Sequence, residues 1–409
     1  MYLADTRAAG TTKGKIGRRV SGNVLALGMV SLVTDISAEM VTAVLPLYLV
    51  VGLGLNPLQF GLLDGLYAGA TALVRLVGGH AADRWRRLKA VAGIGYGLSA
   101  ASKLGLLAAG SSVPAIGAVL AVDRAGKGIR TAPRDALISL SSEPESLGRS
   151  FGVHRAMDTI GAFLGPLVAM VVLWGSLGDY SSVFVTSFCI ATIGVLVLVA
   201  FVRDRPPTDG PAKPVPVRSM LQLLRIPGFR RLCGWAAALA LISVTDSFLY
   251  LALQRNFDVS TTMFPLLPLG TAGVYLLLAV PLGRLADKYG RWRVFVGGHL
   301  VMATALGLVC GPFAGWWIAV CVLVLHGVFY AATDGVLMAA AGPWLPEHLR
   351  ASGMALIQTG QALARMVSAV LFGLAWTLWD LRPTMIVVAV GLLVVTIAAA
   401  LLKPWEKPA

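Results

Sequence analysis

Charged side chains recur in this chain where it is otherwise most apolar, and their spacing limits the chemistry they can do. Asp35 and Glu39 lie one helical turn apart, so both project from one face. Residues 123–135 hold Asp123, Arg124, Lys127, Arg130, Arg134 and Asp135. At 100° per residue, Asp123, Lys127, Arg130 and Arg134 project within about 60° of one another, forming a stripe roughly 16 Å long. His154 and Asp158 are again one turn apart, with Arg155 beside them, and Gln358, Gln361 and Arg365 share a further face.

Two chemistries fit these groups. Burial favours the neutral form of a carboxylate and a nearby Arg favours the charged form, so an Arg that moves can load and release a proton. Asp35, Glu39 and Arg124 are the leading candidates for that role, with His154, Asp158, Asp246 and Asp334 as further proton sites. The Arg guanidinium is also a planar fork matched to carboxylate and phosphate oxygens. Lys127 and Arg130, joined by Gln358, Gln361 and Arg365, are therefore expected to contact an anionic or electron-rich small molecule. The alternative at each position is structural: a permanent ion pair, or a hydrogen bond to a neighbouring helix.

The elements that position these groups follow from composition. Of 409 residues, 57% are hydrophobic and 13% charged, with a mean hydropathy of +0.77, so most of the chain belongs in lipid. Backbone in lipid must satisfy its own hydrogen bonds, which calls for helices. Segments long enough to cross roughly 30 Å of hydrocarbon are expected over 22–51, 57–82, 88–109, 113–141, 148–174 and 181–202. A second set is expected over 229–254, 262–286, 292–312, 314–341, 350–379 and 382–402. Residues 1–21 and 403–409 read as tails. Residues 203–228, rich in Pro and basic side chains, read as a linker between two six-helix halves, 22–202 and 229–402. Spans 3, 6, 9 and 12 carry almost no charge, Lys103 and His299 excepted, and are expected at the periphery. The other spans should line a path.

The net charge of +14 does not point to nucleic acid, because the basic residues fall into short connections and not into one patch. With the N-terminus inside, 24 of the 34 Lys and Arg fall in cytoplasmic segments or the span ends that adjoin them, which places both termini in the cytoplasm. The location expected is a bacterial inner membrane. Cys189, Cys233, Cys310 and Cys321 are scattered through apolar segments without metal-ligand spacing, and Met40, Met157, Met338 and Met366 have no regular spacing, so no metal and no cofactor is expected. Gly126-Lys127-Gly128 is not a phosphate-binding loop, since it lies within a helix and follows no strand.

The two halves echo each other. Gly79 to Arg84 (GHAADR) matches Gly283 to Lys288 (GRLADK), with Asp83 and Asp287 offset by 204 positions. Arg149 to Gly152 matches Arg350 to Gly353, offset by 201, and Ser31-Leu-Val-Thr34-Asp35 echoes Ser243-Val-Thr245-Asp246. Three ordered echoes indicate pseudo-symmetric bundles about a central site.

These motifs resemble the major facilitator superfamily over the whole chain. Gly79, Asp83, Arg84 and Arg87 resemble its signature between spans 2 and 3, with Arg86 where the family has Gly. Arg124 and Gly128 resemble its span 4 motif, with Lys127 replacing Gln. Gly161, Gly165 and Pro166 resemble the start of its antiporter motif, whose second glycine pair is here Ala169 and Met170. The resemblance implies an all-α fold of twelve transmembrane helices in two pseudo-symmetric six-helix bundles, working as a secondary transporter and not as an enzyme. It assigns gating to Gly79, Asp83, Arg84, Arg87 and Asp287, and conformational change to Gly161, Gly165 and Pro166. The expected activity is proton-coupled efflux of a small organic or anionic compound by a monomer. Import of an organic anion by proton symport is the alternative, and a non-transporting sensor or scaffold is the alternative of another class.

Overall fold

The structure is a computed structural model that describes residues 20–70, 87–143, 146–204, 222–312, 315–346 and 349–402. All of its regular elements are helical among these residues. In the first half these are α1 (Gly22–Leu47), α2 (57–70), α3 (Leu88–Ala108), α4 (Val113–Leu140), α5 (Leu147–Gly175) and α6 (Tyr180–Phe201). In the second half α7 runs as two pieces, α7a (Pro227–Ile242) and α7b (Asp246–Phe257). It is followed by α8 (Leu266–Tyr289), α9 (Arg291–Cys310), α10 (Trp316–Ala341), α11 (Arg350–Trp379) and α12 (Leu381–Leu401). Gly79, Asp83 and Arg84 lie outside the described residues, as do residues 1–19 and 403–409 of the expected tails and residues 205–221 of the expected linker. Arg87 is described, exposed at the start of α3.

The helices pack as two matching bundles. In the first, α1 lies against α5 and α6, and α3 against α4 and α6; in the second, α7a lies against α11 and α12, and α9 against α10 and α12. Close approach is made possible by glycine where backbones touch. A Cβ on Gly161 would meet the Leu32 carbonyl, and one on Gly165 the Ile36 carbonyl, so these positions seat α5 directly on α1. Gly95 and Gly126 do the same between α3 and α4, and Gly298 seats α9 against α10. Pro166 lies inside α5, and α1 ends in a π-helical turn over Tyr48–Gly52. Ten of the described helices are long and apolar enough to cross a membrane. α4 is long enough but carries six charged side chains.

One expected span differs. The segment expected as a single helix over 229–254 breaks at Ser243–Thr245, whose backbone is extended at Ser243 and Thr245. Ser243 Oγ donates back to the Leu239 carbonyl at 2.7 Å, and Ser368 Oγ of α11 donates to the Ser243 carbonyl at 2.6 Å. A side-chain donor from another helix thus replaces the missing turn, and Ser, Thr and Asp are the residues that compete with helical hydrogen bonds. The echoed Ser31–Asp35 stretch of α1 stays helical, with Thr34 Oγ1 donating to the Val30 carbonyl at 2.7 Å.

Between the bundles the molecule is closed at the end bearing the α1–α2 and α11–α12 connections. There Gly61 and Gly65 of α2 face the carbonyls of Ala369 and Met366, Gly373 of α11 faces the Pro57 carbonyl, and Leu58 N–H donates to Thr377 Oγ1 at 3.1 Å. Beneath this seam four buried rings cross the interface. Phe60 meets Phe248 edge-on at 4.9 Å between centroids, and Phe248 meets Phe372 at 4.6 Å and Trp376 at 5.7 Å. Trp174, Trp316, Trp317 and Trp379 are exposed at helix termini of this same end, where indole rings settle at a membrane interface.

Candidate functional site

Below the aromatic seam, between α1, α2 and α5 on one side and α7 to α11 on the other, lies a cavity of about 680 Å³, to which α9, expected at the periphery, contributes Phe295 and His299. Its size suits a small organic molecule. The break in α7 puts Ser243, Thr245, Asp246 and Ser247 on its wall, so the irregular backbone lines a cavity and not lipid. Arg155, Asp334 and Arg365 line the side away from the aromatic seam and are exposed to solvent.

The cavity carries four carboxylates. Asp64 of α2 accepts from the Thr245 hydroxyl at 2.7 Å, a hydrogen bond that crosses between the bundles. Asp246 accepts from the Tyr330 hydroxyl at 2.7 Å to each oxygen. His326 Nε2 lies 3.3 Å from Asp246, outside hydrogen-bond alignment, while its Nδ1 is 3.2 Å from Thr271 Oγ1. Asp334 accepts from Tyr275 at 3.4 Å. Glu39 lines the cavity without a polar side-chain partner among the described residues. None of the four is within 4.0 Å of a Lys or Arg nitrogen among the described residues. Gln361 and Arg365 lie on the wall, whereas Gln358 is exposed beyond it and among the described residues bonds the Met338 sulfur at 3.9 Å.

The cationic stripe of α4 is placed elsewhere: α4 contributes no described residue to the cavity wall. Asp123 binds Lys103 at 2.6 Å and pairs with Arg124, and Ser99 and Ser102 donate to the same carboxylate. The Arg124 guanidinium lies 4.0 Å from the Tyr67 ring centroid, and Tyr67 in turn bonds Thr42 at 3.0 Å. Arg130 lies 3.3 Å from Asp35 and 4.4 Å from the Tyr96 ring centroid. Asp158 accepts from Ser31 at 2.8 Å and has Arg155 at 3.5 Å and Arg134 at 3.9 Å. His154 is buried nearby, its Nε2 without a hydrogen-bond partner among the described residues. Lys127 makes no side-chain bond among the described residues. Lys103, expected at the periphery, is thus a buried member of this network.

The structure therefore brings together two groups the sequence reading had mixed. Asp35, Arg130, Arg124, His154 and Asp158 lie inside the first bundle; Glu39, Asp246, Asp334, Gln361 and Arg365 lie on the cavity. The expectation of an anionic substrate rested on the α4 stripe, and that stripe faces carboxylates within its own bundle. Asp287, a gating candidate, is ion-paired to Arg291 at 3.0 Å at the far end of α8. Asp64, Tyr330, His326 and Thr271 were not singled out from the sequence. Asp64 was findable, since it is a lone acid in an apolar span and obeys the same rule that selected Asp35.

Comparisons with known proteins agree with this architecture. A family model described as Major Facilitator Superfamily matches residues 27–274 and 236–409. An uncharacterized MFS-type transporter of Methanocaldococcus jannaschii is 30% identical over 382 residues, covering 90% of this chain and 91% of its own. Among solved structures, a variant of the nucleoside transporter NupG superposes with a TM-score of 0.80 at 15% identity, covering 93% of this chain and 99% of that one. A variant of the peptide transporter POT in complex with sulfate gives 0.77 at 16% identity, covering 96% of each chain. Likeness at these identities is a likeness of fold.

Proposed function

This chain belongs to the Major Facilitator Superfamily, and from that premise we propose that it exports a small molecule by alternating access in exchange for protons. One observation supports the reading above the rest: a cavity between matching bundles, sealed at one end by a glycine and aromatic seam and reached by solvent from the other. With the topology expected from the positive-inside rule, the sealed end is periplasmic and the cavity faces the cytoplasm. The chain is a multi-pass membrane protein, and an inner membrane is the location that fits.

Proton coupling is assigned to the first bundle. Asp35 and Arg130 pair at the junction of α1 and α4, and Ser31 ties α1 to Asp158 of α5. Separating a buried pair leaves an uncompensated charge, which is costly, so a shift of α4 against α1 would be relieved by a proton on Asp35. Gly161 and Gly165 seat α5 on α1 without side chains between them, so α1 and α5 move as one unit, and Pro166 supplies the bend. Glu39, on the same face as Asp35 and open to the cavity, would link that proton to the substrate site. Export is supported by the Gly161, Gly165 and Pro166 motif. Import by symport remains the second reading, favoured by Arg155 and Arg365 on the solvent-reached side.

Spin labels at Asn56→Cys and Leu378→Cys, both at the sealed end, test the cycle without knowledge of the substrate. In lipid vesicles two distance populations that exchange with pH are expected, and Asp35→Asn and Glu39→Gln should remove that response. A single short distance at every pH would remove the ground for alternating access.

A further inference from the structure

The charge of the cavity carries an inference about what it holds. In the first bundle every carboxylate of the buried network, Asp35, Asp123 and Asp158, has a Lys or Arg partner. On the cavity wall Asp64, Asp246 and Asp334 are bonded by the hydroxyls of Thr245, Tyr330 and Tyr275, and a hydroxyl leaves the negative charge in place. Glu39 adds a fourth, which Arg124 and Lys127 of α4 offset in part from behind the wall. Two guanidiniums face them: Arg155, already beside Asp158 and largely exposed, and Arg365. The wall is thus formally net negative by two among the described residues.

Asp64 and Asp246 flank the hinge in α7 from opposite bundles, joined by Thr245. Around them the wall is aromatic, with Tyr250, Phe295, Phe329 and Tyr330. Ring faces and carboxylates without a Lys or Arg in contact attract the same kind of ligand. Resting on the transport reading above, we infer that the substrate is an organic cation with an apolar or aromatic body, its charge seated between Asp64 and Asp246. Because the two acids belong to different bundles, such a ligand bridges the parts that must rock.

Two probes of the same shape and opposite charge test this: tetraphenylphosphonium and tetraphenylborate. Equilibrium binding is measured on the purified full chain in detergent micelles, with Asp64→Asn/Asp246→Asn as the baseline for partition into the micelle. The cation should bind above that baseline and the anion should not. Single Asp64→Asn or Asp246→Asn should weaken cation binding on the order of tenfold, the scale of one charged contact. The inference is overturned if tetraphenylborate binds as tightly, or if neither ion exceeds the baseline. Protein-free micelles give a second baseline that needs no variant to fold. If the spin labels still report two exchanging states, a failure here removes the charge assignment and leaves the transport cycle standing.

Discussion

The two bundles share a helix packing scheme and differ in how they hold most of their buried charge. The first encloses its charges: Asp123 sits among Lys103, Arg124, Ser99 and Ser102, and Asp35 against Arg130. The second offers its acids to a cavity, with Asp246 half exposed and held by Tyr330. The same contrast runs through the echoed segment, which in α1 is an unbroken helix and in α7 a break that turns backbone and carboxylate toward the cavity. A pseudo-symmetric fold can therefore divide its labour unequally. Only the first half keeps a compensated network that a proton can unbalance, while both present acids to the cavity, Glu39 and Asp64 from the first and Asp246 and Asp334 from the second.

The largest expected effect tests the enclosed half. Asp123→Asn strands Lys103 and Arg124 in the interior and should lower stability by about 3–5 kcal/mol, read as a fall in melting temperature of the purified protein. Asp246→Asn, open to the cavity, should cost far less and act on ligand binding instead. Equal losses from the two would break the comparison.

Arg130→Met, which leaves Asp35 unpaired, should cost about 3 kcal/mol, and the double variant with Asp35→Asn should recover most of it. A double variant no more stable than the single one would show that the pair is not what holds α1 to α4.

The interface between the halves gives a smaller effect. Gly61→Ala places a methyl against the Ala369 carbonyl and should cost about 1–3 kcal/mol or part the sealed end, visible as a longer distance between spin labels there. Gly97→Ala in α3, where a Cβ meets nothing within 4 Å, is the control and should be near neutral. The smallest effect is expected from Thr245→Ala, which removes the hydrogen bond between bundles to Asp64 and should cost about 1 kcal/mol.

Much of the fold was legible before any coordinates. The span expected over 350–379 is the helix Arg350–Trp379, and that expected over 113–141 is Val113–Leu140. Lipid leaves a chain few options, so length and hydropathy suffice to fix where helices run. The echoes of Asp83 in Asp287 and of Arg149 in Arg350 gave the twofold arrangement for the same reason, since each half must bury a similar face. That charged groups would turn away from lipid followed from their cost there.

Which charges would meet which was decided by tertiary structure alone. Periodicity placed Asp123, Lys127, Arg130 and Arg134 on one face of α4 but could not say whether that face met a cavity or the carboxylates of α1 and its own neighbours. Lys103 looked peripheral because its span is otherwise apolar, yet the close approach of α3 and α4 at Gly95 and Gly126 carries it to Asp123. The break in α7 depends on Ser368, 125 positions away, supplying the hydrogen bond that an intact helix would have made. Helix position is a local property of hydropathy, whereas charge pairing depends on distances between segments that no spacing along the chain encodes.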